Sequence, residues 1–98
     1  METKTATKRP VLVTTAHRGV FFGYLTRDGG DVVTLERARN CMYWTREVGG
    51  FLGLAASGPV GLCRIGARVD RITLRDITSV TKCSPAAVEA WEGFATWK

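Results

Sequence analysis

The segment VFFGYLTRDGGDVVTL, residues 20–35, reads as a β-hairpin. Val20–Thr26 is rich in β-branched and aromatic residues, which suit a pleated, half-buried surface. Arg27-Asp28-Gly29-Gly30-Asp31 follows, and Asp-Gly supplies the positive φ that a tight hairpin turn needs. Val32–Leu35 returns as the second arm. Gly23, inside the first arm, predicts a bulge or a close approach of another backbone. Upstream, Val11, Val13 and Thr15 alternate with Leu12 and Thr14, a strand with one face well buried. The turn His17-Arg18-Gly19 joins it to the hairpin. Residues 1–9 read as a flexible basic arm, and residues 10–98 as a single domain.

Downstream, Glu36–Asn40 is polar, and Cys41–Trp44 then reads as a fourth strand. Thr45 is placed to cap a helix, with Glu47 in its first turn. Val48, Phe51, Leu52 and Ala55 recur at i, i+3, i+4 and i+7, one face of that helix. Gly49, Gly50 and Gly53 weaken it by roughly 1 kcal/mol each relative to Ala, so tertiary or subunit contacts, or close packing at the glycines, must account for it. Gly58-Pro59 ends it. Val60–Ile65 is a short apolar strand. Arg68–Val80 is a longer one whose phase slips at Asp76-Ile77. Ser84-Pro85 opens a last helix as cap and first-turn proline, Val88 and Trp91 share its buried face, and Gly93 stops it. Phe94–Lys98 is a short aromatic tail. Four strands, a helix, two strands and a helix give an α+β fold: a small, mainly antiparallel β-sheet with two short α-helices.

The 98 residues carry 14 Lys+Arg against 9 Asp+Glu, a net charge of +5, and ten of the cations are arginine. Arginine offers a planar fork of donors that fits phosphate in pairs, so an anionic, phosphate-bearing partner is expected. No apolar run approaches the roughly 18 residues of a membrane span, and Met1–Lys8 lacks the apolar stretch of a secretory signal. Cys41, Cys63 and Cys83 form no C-x-x-C pair, which argues against a disulfide framework or a zinc site and for reduced core cysteines in a cytoplasm. His17 is the one histidine. No nucleophile-elbow, Walker A or Rossmann pattern is present, so no catalytic residue, metal or cofactor is expected.

Phosphates need cationic or amide donors, and a base needs a flat apolar face. Arg37–Phe51 holds both, with Arg37, Arg39 and Arg46 beside Tyr43, Trp44 and Phe51. One of Tyr43 and Trp44 should nevertheless be core, since they alternate in a strand. Thr14, Thr15, His17 and Arg18 form a second candidate, where hydroxyls and a guanidinium at a turn could hold a phosphate or simply end a hairpin. Arg64, Arg68, Arg71 and Arg75 lie on or beside neighbouring strands, as a basic stripe or as a solvated face.

Val11-x-Val13-x-Thr15, Gly19-Val20-x-Phe22-Gly23, Ala38-Arg39-x-x-x-Tyr43-Trp44, Leu54-Ala55-x-x-Gly58, Cys63-Arg64, Cys83-Ser84 and Trp97-Lys98 occur in that order. The series resembles the first family of phage-encoded Thoeris anti-defence proteins over residues 11–98. The resemblance implies a non-catalytic sponge, acting in the host bacterial cytoplasm, that sequesters immune signalling nucleotides. The implied ligand is glycocyclic ADP-ribose, with cyclic oligonucleotides of CBASS systems at a separate site. It further implies a homo-oligomer, a hexamer, with pockets between protomers. Arg39, Tyr43 and Trp44 are the matched motif positions; Arg46, Phe51 and Arg64 are added on chemistry and neighbourhood. On this reading Arg39→Ala or Arg46→Ala weakens nucleotide binding more than it lowers stability. A small arginine-rich nucleic-acid-binding module and an inhibitor of an acidic protein are the competing classes.

Overall fold

The computed structural model describes residues 9–97. The expected basic arm therefore lies outside the described residues except for Arg9, which begins the first strand. Among the described residues six strands form one sheet: β1 (Arg9–Thr15), β2 (Val20–Asp28), β3 (Val32–Tyr43), β4 (Arg64–Ile65), β5 (Val69–Arg75) and β6 (Ile77–Lys82). Two helices accompany it, α1 (Gly50–Ala56) and α2 (Pro85–Gly93). All strand pairings are antiparallel, so the class is α+β. No helix among the described residues is long and apolar enough to cross a membrane.

The β2–β3 hairpin forms around its Asp-Gly turn. The Gly29 amide donates to the Val32 carbonyl at 2.8 Å, and the Gly30 amide to Asp28 Oδ1 at 3.0 Å. The β2–β3 register shifts between Phe22 and Tyr24, opposite the bulge at Arg37. A Cβ on Gly23 would lie 2.9 Å from Leu35 Cβ, so the strands meet too closely there for any other residue.

Four boundaries differ from the sequence expectation, each for a local reason. The polar stretch Glu36–Asn40 does not separate two strands: β3 runs unbroken for 12 residues, and Arg37 absorbs the irregularity as a bulge at φ 52°. The helix expected from Thr45 onward is split. A short 3₁₀ turn covers Arg46–Val48, Thr45 makes no side-chain cap bond, and Gly49 and Gly50 take left-handed φ of 83° and 80° before α1 proceeds. Val60–Ile65 contributes only Arg64–Ile65 to the sheet, because the chain turns back through Gly61 and the Cys63 amide donates to the Val60 carbonyl. Arg68–Val80 is two strands, divided at Asp76 (φ 58°).

That last division links the two ends of the sheet. β5 pairs with β3, whereas β6 pairs with β1, at opposite ends of the path β3-β2-β1. A chain bent at one residue thus joins strands at the two ends of this path, and one face of the sheet encloses an apolar cluster. Val11, Val13, Leu25, Val33, Leu35, Ala38 and Leu74 form that cluster. Leu12 points the other way, into a second cluster where Phe22, Leu54, Ile65 and Trp91 are fully buried beneath the helices. β1 is therefore covered on both faces, not on one. Ser84 caps α2 by accepting from the Ala87 amide at 3.0 Å. Trp91, on its buried face, stacks on Phe22 with ring centroids 5.1 Å apart and donates Nε1–H to the Leu54 carbonyl.

Candidate functional site

The six residues expected to hold a ligand separate into different environments. Trp44 and Phe51 are half-buried and pack against the helix-side core. Arg46 is exposed on the 3₁₀ turn and is not among the residues that line the principal cleft. Arg39 is 3% exposed. Its Nε donates to the Gly66 carbonyl at 2.9 Å, and its Nη1 to the carbonyls of Trp91 and Phe94 at 2.7 and 2.8 Å. Its Nη2 reaches Thr96 Oγ1 at 3.3 Å. A guanidinium so engaged is a structural clamp. Removing this side chain would strand buried carbonyls, so Arg39→Ala should carry a stability cost of its own beside any effect on binding.

Tyr43 and Arg64 do come together. β3 and β4 pair Tyr43 with Arg64 in register, and the Arg64 guanidinium carbon lies 5.6 Å from the Tyr43 ring centroid. The chain after α2 then supplies Trp97, whose ring centroid is 4.9 Å from the same guanidinium. The tail runs as a parallel bridge beside β4, Thr96 opposite Ile65, and the Trp97 amide donates to the Ile65 carbonyl at 2.9 Å. Between tail, β4 and the loop before it opens a cleft of about 850 Å³, lined among others by Leu62, Phe94 and Thr96. Its apolar groups are unusually open to solvent: Leu62 is 81% exposed, Tyr43 51% and Trp97 50%. Cation and aromatic faces attract through the ring quadrupole. An exposed apolar patch of this kind marks a contact surface.

Sequence reasoning did not assign Leu62, Phe94, Thr96 or Trp97 to a site. The available signal was the aromatic tail Phe94–Lys98, with Trp97 four residues beyond Gly93.

The second candidate group is occupied by its own turn. Thr15 Oγ1 accepts from the amides of His17 and Gly19 at 3.3 and 3.1 Å. Thr14 Oγ1 bonds the hydroxyls of Thr78 and Ser79 on β6. His17 Nε2 meets Asp76 Oδ2 at 2.9 Å, which brings a carboxylate to the place a phosphate would need. Arg18 is exposed, at φ 64°. On the basic stripe, Arg71 pairs with Glu36 at 2.9 Å and Arg68 with Glu92 at 2.6 Å.

Glu92 is a hub. It also receives Arg37 at 3.2 Å and the Tyr24 hydroxyl. Burial pushes its carboxyl up, but the hydrogen bonds from Tyr24, Arg68 and Arg37 outweigh that and hold it below the usual glutamate value. Tyr24 is pushed up to about 12, by burial first and then by Glu92. Cys41, Cys63 and Cys83 are free and buried. Burial raises the thiols of Cys41 and Cys83 to about 12.

The chain belongs to the family described as a domain of unknown function, DUF6948, which matches residues 8–91. That span takes in Arg39, Tyr43 and Arg64 and ends before the tail. No curated protein and no solved structure matches the chain.

Proposed function

We propose that this protein is a non-catalytic binder of a compact nucleotide, an anti-defence sponge that sequesters glycocyclic ADP-ribose or a related cyclic signal in the cytoplasm of an infected bacterium. The observation that carries the reading is the cleft around Arg64. There a cation meets the faces of Tyr43 and Trp97 in a space large enough for a base, two riboses and two phosphates. A base stacked on an exposed aromatic gains about 1–3 kcal/mol, and the guanidinium supplies a forked, charge-assisted partner for phosphate. The signal nucleotide and the sponge role rest on the resemblance of the motif series. So does assembly as a homo-oligomer, in which a second protomer would cover the open side.

Sequestration works by mass action. A dissociation constant of about 10 nM corresponds to about −11 kcal/mol. The test is a thermal-shift screen against cyclic ADP-ribose isomers and cyclic di- and trinucleotides. A ligand at 100 times its dissociation constant adds about 2.7 kcal/mol of stability and raises the melting temperature. Recovery of that ligand intact after denaturation supports sequestration, and recovery of a cleaved product refutes it. No shift with any member of the panel refutes the nucleotide reading. Exposed Arg75 on β5 favours a second reading, a nucleic-acid surface. That reading requires affinity for oligonucleotides that falls steeply with salt.

A further inference from the structure

Arg39 lies beneath the cleft without lining it, and its bonds converge on the segment that builds one wall. α2 ends without the usual devices: its C-cap is Phe94 in an extended conformation, and its last turn carries no basic residue. The carbonyls that a helix end leaves without partners are met from outside, the Trp91 carbonyl by Arg39 of β3 and the Glu92 carbonyl by Arg68. One nitrogen of Arg39 holds the carbonyls of Trp91, in the helix, and Phe94, just beyond it. A second reaches Thr96. The third fixes Gly66, next to β4, on the opposite side of the tail. One buried side chain thereby sets the direction in which the chain leaves α2 and the height at which it meets Ile65. One residue later stands Trp97, against Arg64.

We infer that Arg39 is the positioning residue of the cleft: its forked guanidinium fastens residues 94–96 to the sheet and so holds the Trp97 ring at Arg64. The inference rests on the cleft being the ligand site. Lysine keeps the charge at this position but offers one nitrogen where arginine offers three. It cannot hold α2, Gly66 and Thr96 at once, and a tail held chiefly by the Trp97 amide at the Ile65 carbonyl lets the Trp97 ring shift from Arg64.

The test uses the full chain labelled with 5-fluorotryptophan, in which Trp97→Phe identifies the Trp97 fluorine resonance. At a temperature where both proteins are folded, Arg39→Lys is expected to move that resonance toward its position in denatured protein. The Trp44 resonance should stay in place, and affinity for glycocyclic ADP-ribose should fall at least tenfold. Thr96→Val, which deletes one bond at the tail and none at the helix, should give a smaller displacement of the same sign. It decides the matter if Arg39→Lys does not fold. A Trp97 resonance that stays in place in the folded variants overturns the inference, as does unchanged affinity once Trp97 is released. If the wild-type protein binds no nucleotide, the proposed function fails, and the fluorine spectra still decide whether Arg39 positions the tail.

Discussion

Glu92 receives hydrogen bonds from Tyr24, Arg37 and Arg68, and its charge is what those partners require. Its pKa is depressed in the fold, so it contributes stability above its ordinary value of 4.5 that is lost as pH falls below it. Tyr24 works in the opposite window. Its raised pKa favours the neutral phenol, and the contribution present below pH 10 is lost between 10 and about 12. Urea midpoints measured across pH should therefore fall on both the acid and the alkaline side. Glu92→Gln, which leaves Arg37 and Arg68 without a countercharge, should lower stability by about 1–2 kcal/mol at neutral pH and flatten the acid limb. A variant with the wild-type acid limb contradicts this role. The cysteines make a simpler case. Cys41 and Cys83 should resist a thiol reagent at pH 8 in native protein and react on unfolding, since the thiolate is the reactive form. Rapid native labelling at either position contradicts their burial.

Among the elements, the break between the 3₁₀ turn and α1 is the most exposed to test. Gly49 and Gly50 both hold φ near 80°, where a side chain costs about 1–2 kcal/mol. Gly49→Ala and Gly50→Ala should each destabilise by about that much in denaturant melts, although alanine is the better helix former. If either stabilises the protein, the region is instead the continuous helix that its apolar spacing suggests. The comparison shows which parts of the fold were legible. The Asp-Gly hairpin and the Ser84-Pro85 helix start rest on neighbours in sequence, and both formed as read. The continuity of β3 through Arg37, the bend at Asp76 and the brevity of β4 depend on which distant strand supplies hydrogen bonds. No local pattern carries that information. The same holds for the site. Tyr43 and Arg64 were singled out for their chemistry, but the register pairing them and the tail bringing Trp97 are long-range facts. Arg39 looked like a ligand residue because an arginine beside aromatics looks alike whether it faces solvent or caps a buried helix end.

At the scale of the molecule, ten arginines on 98 residues no longer describe one basic surface. Arg37, Arg39, Arg68 and Arg71 are engaged by protein groups, and Arg64 stands in the cleft against two rings. The sheet gives that cleft its floor, because β3 and β4 belong to it while the tail is laid against it. The wall that Trp97 provides is held by the Arg39 clamp together with the backbone bond from the Trp97 amide to Ile65. On the proposed reading, the cleft binds a nucleotide through Arg64 and its two aromatic partners. Titration calorimetry with glycocyclic ADP-ribose, comparing wild type with Arg64→Ala and Trp97→Ala, tests it most directly. The account predicts saturable, tight binding by wild type, weakened at least tenfold in each variant while the melting temperatures of the free proteins change little. Equal affinity in all three proteins, or no heat of binding in wild type, would contradict it.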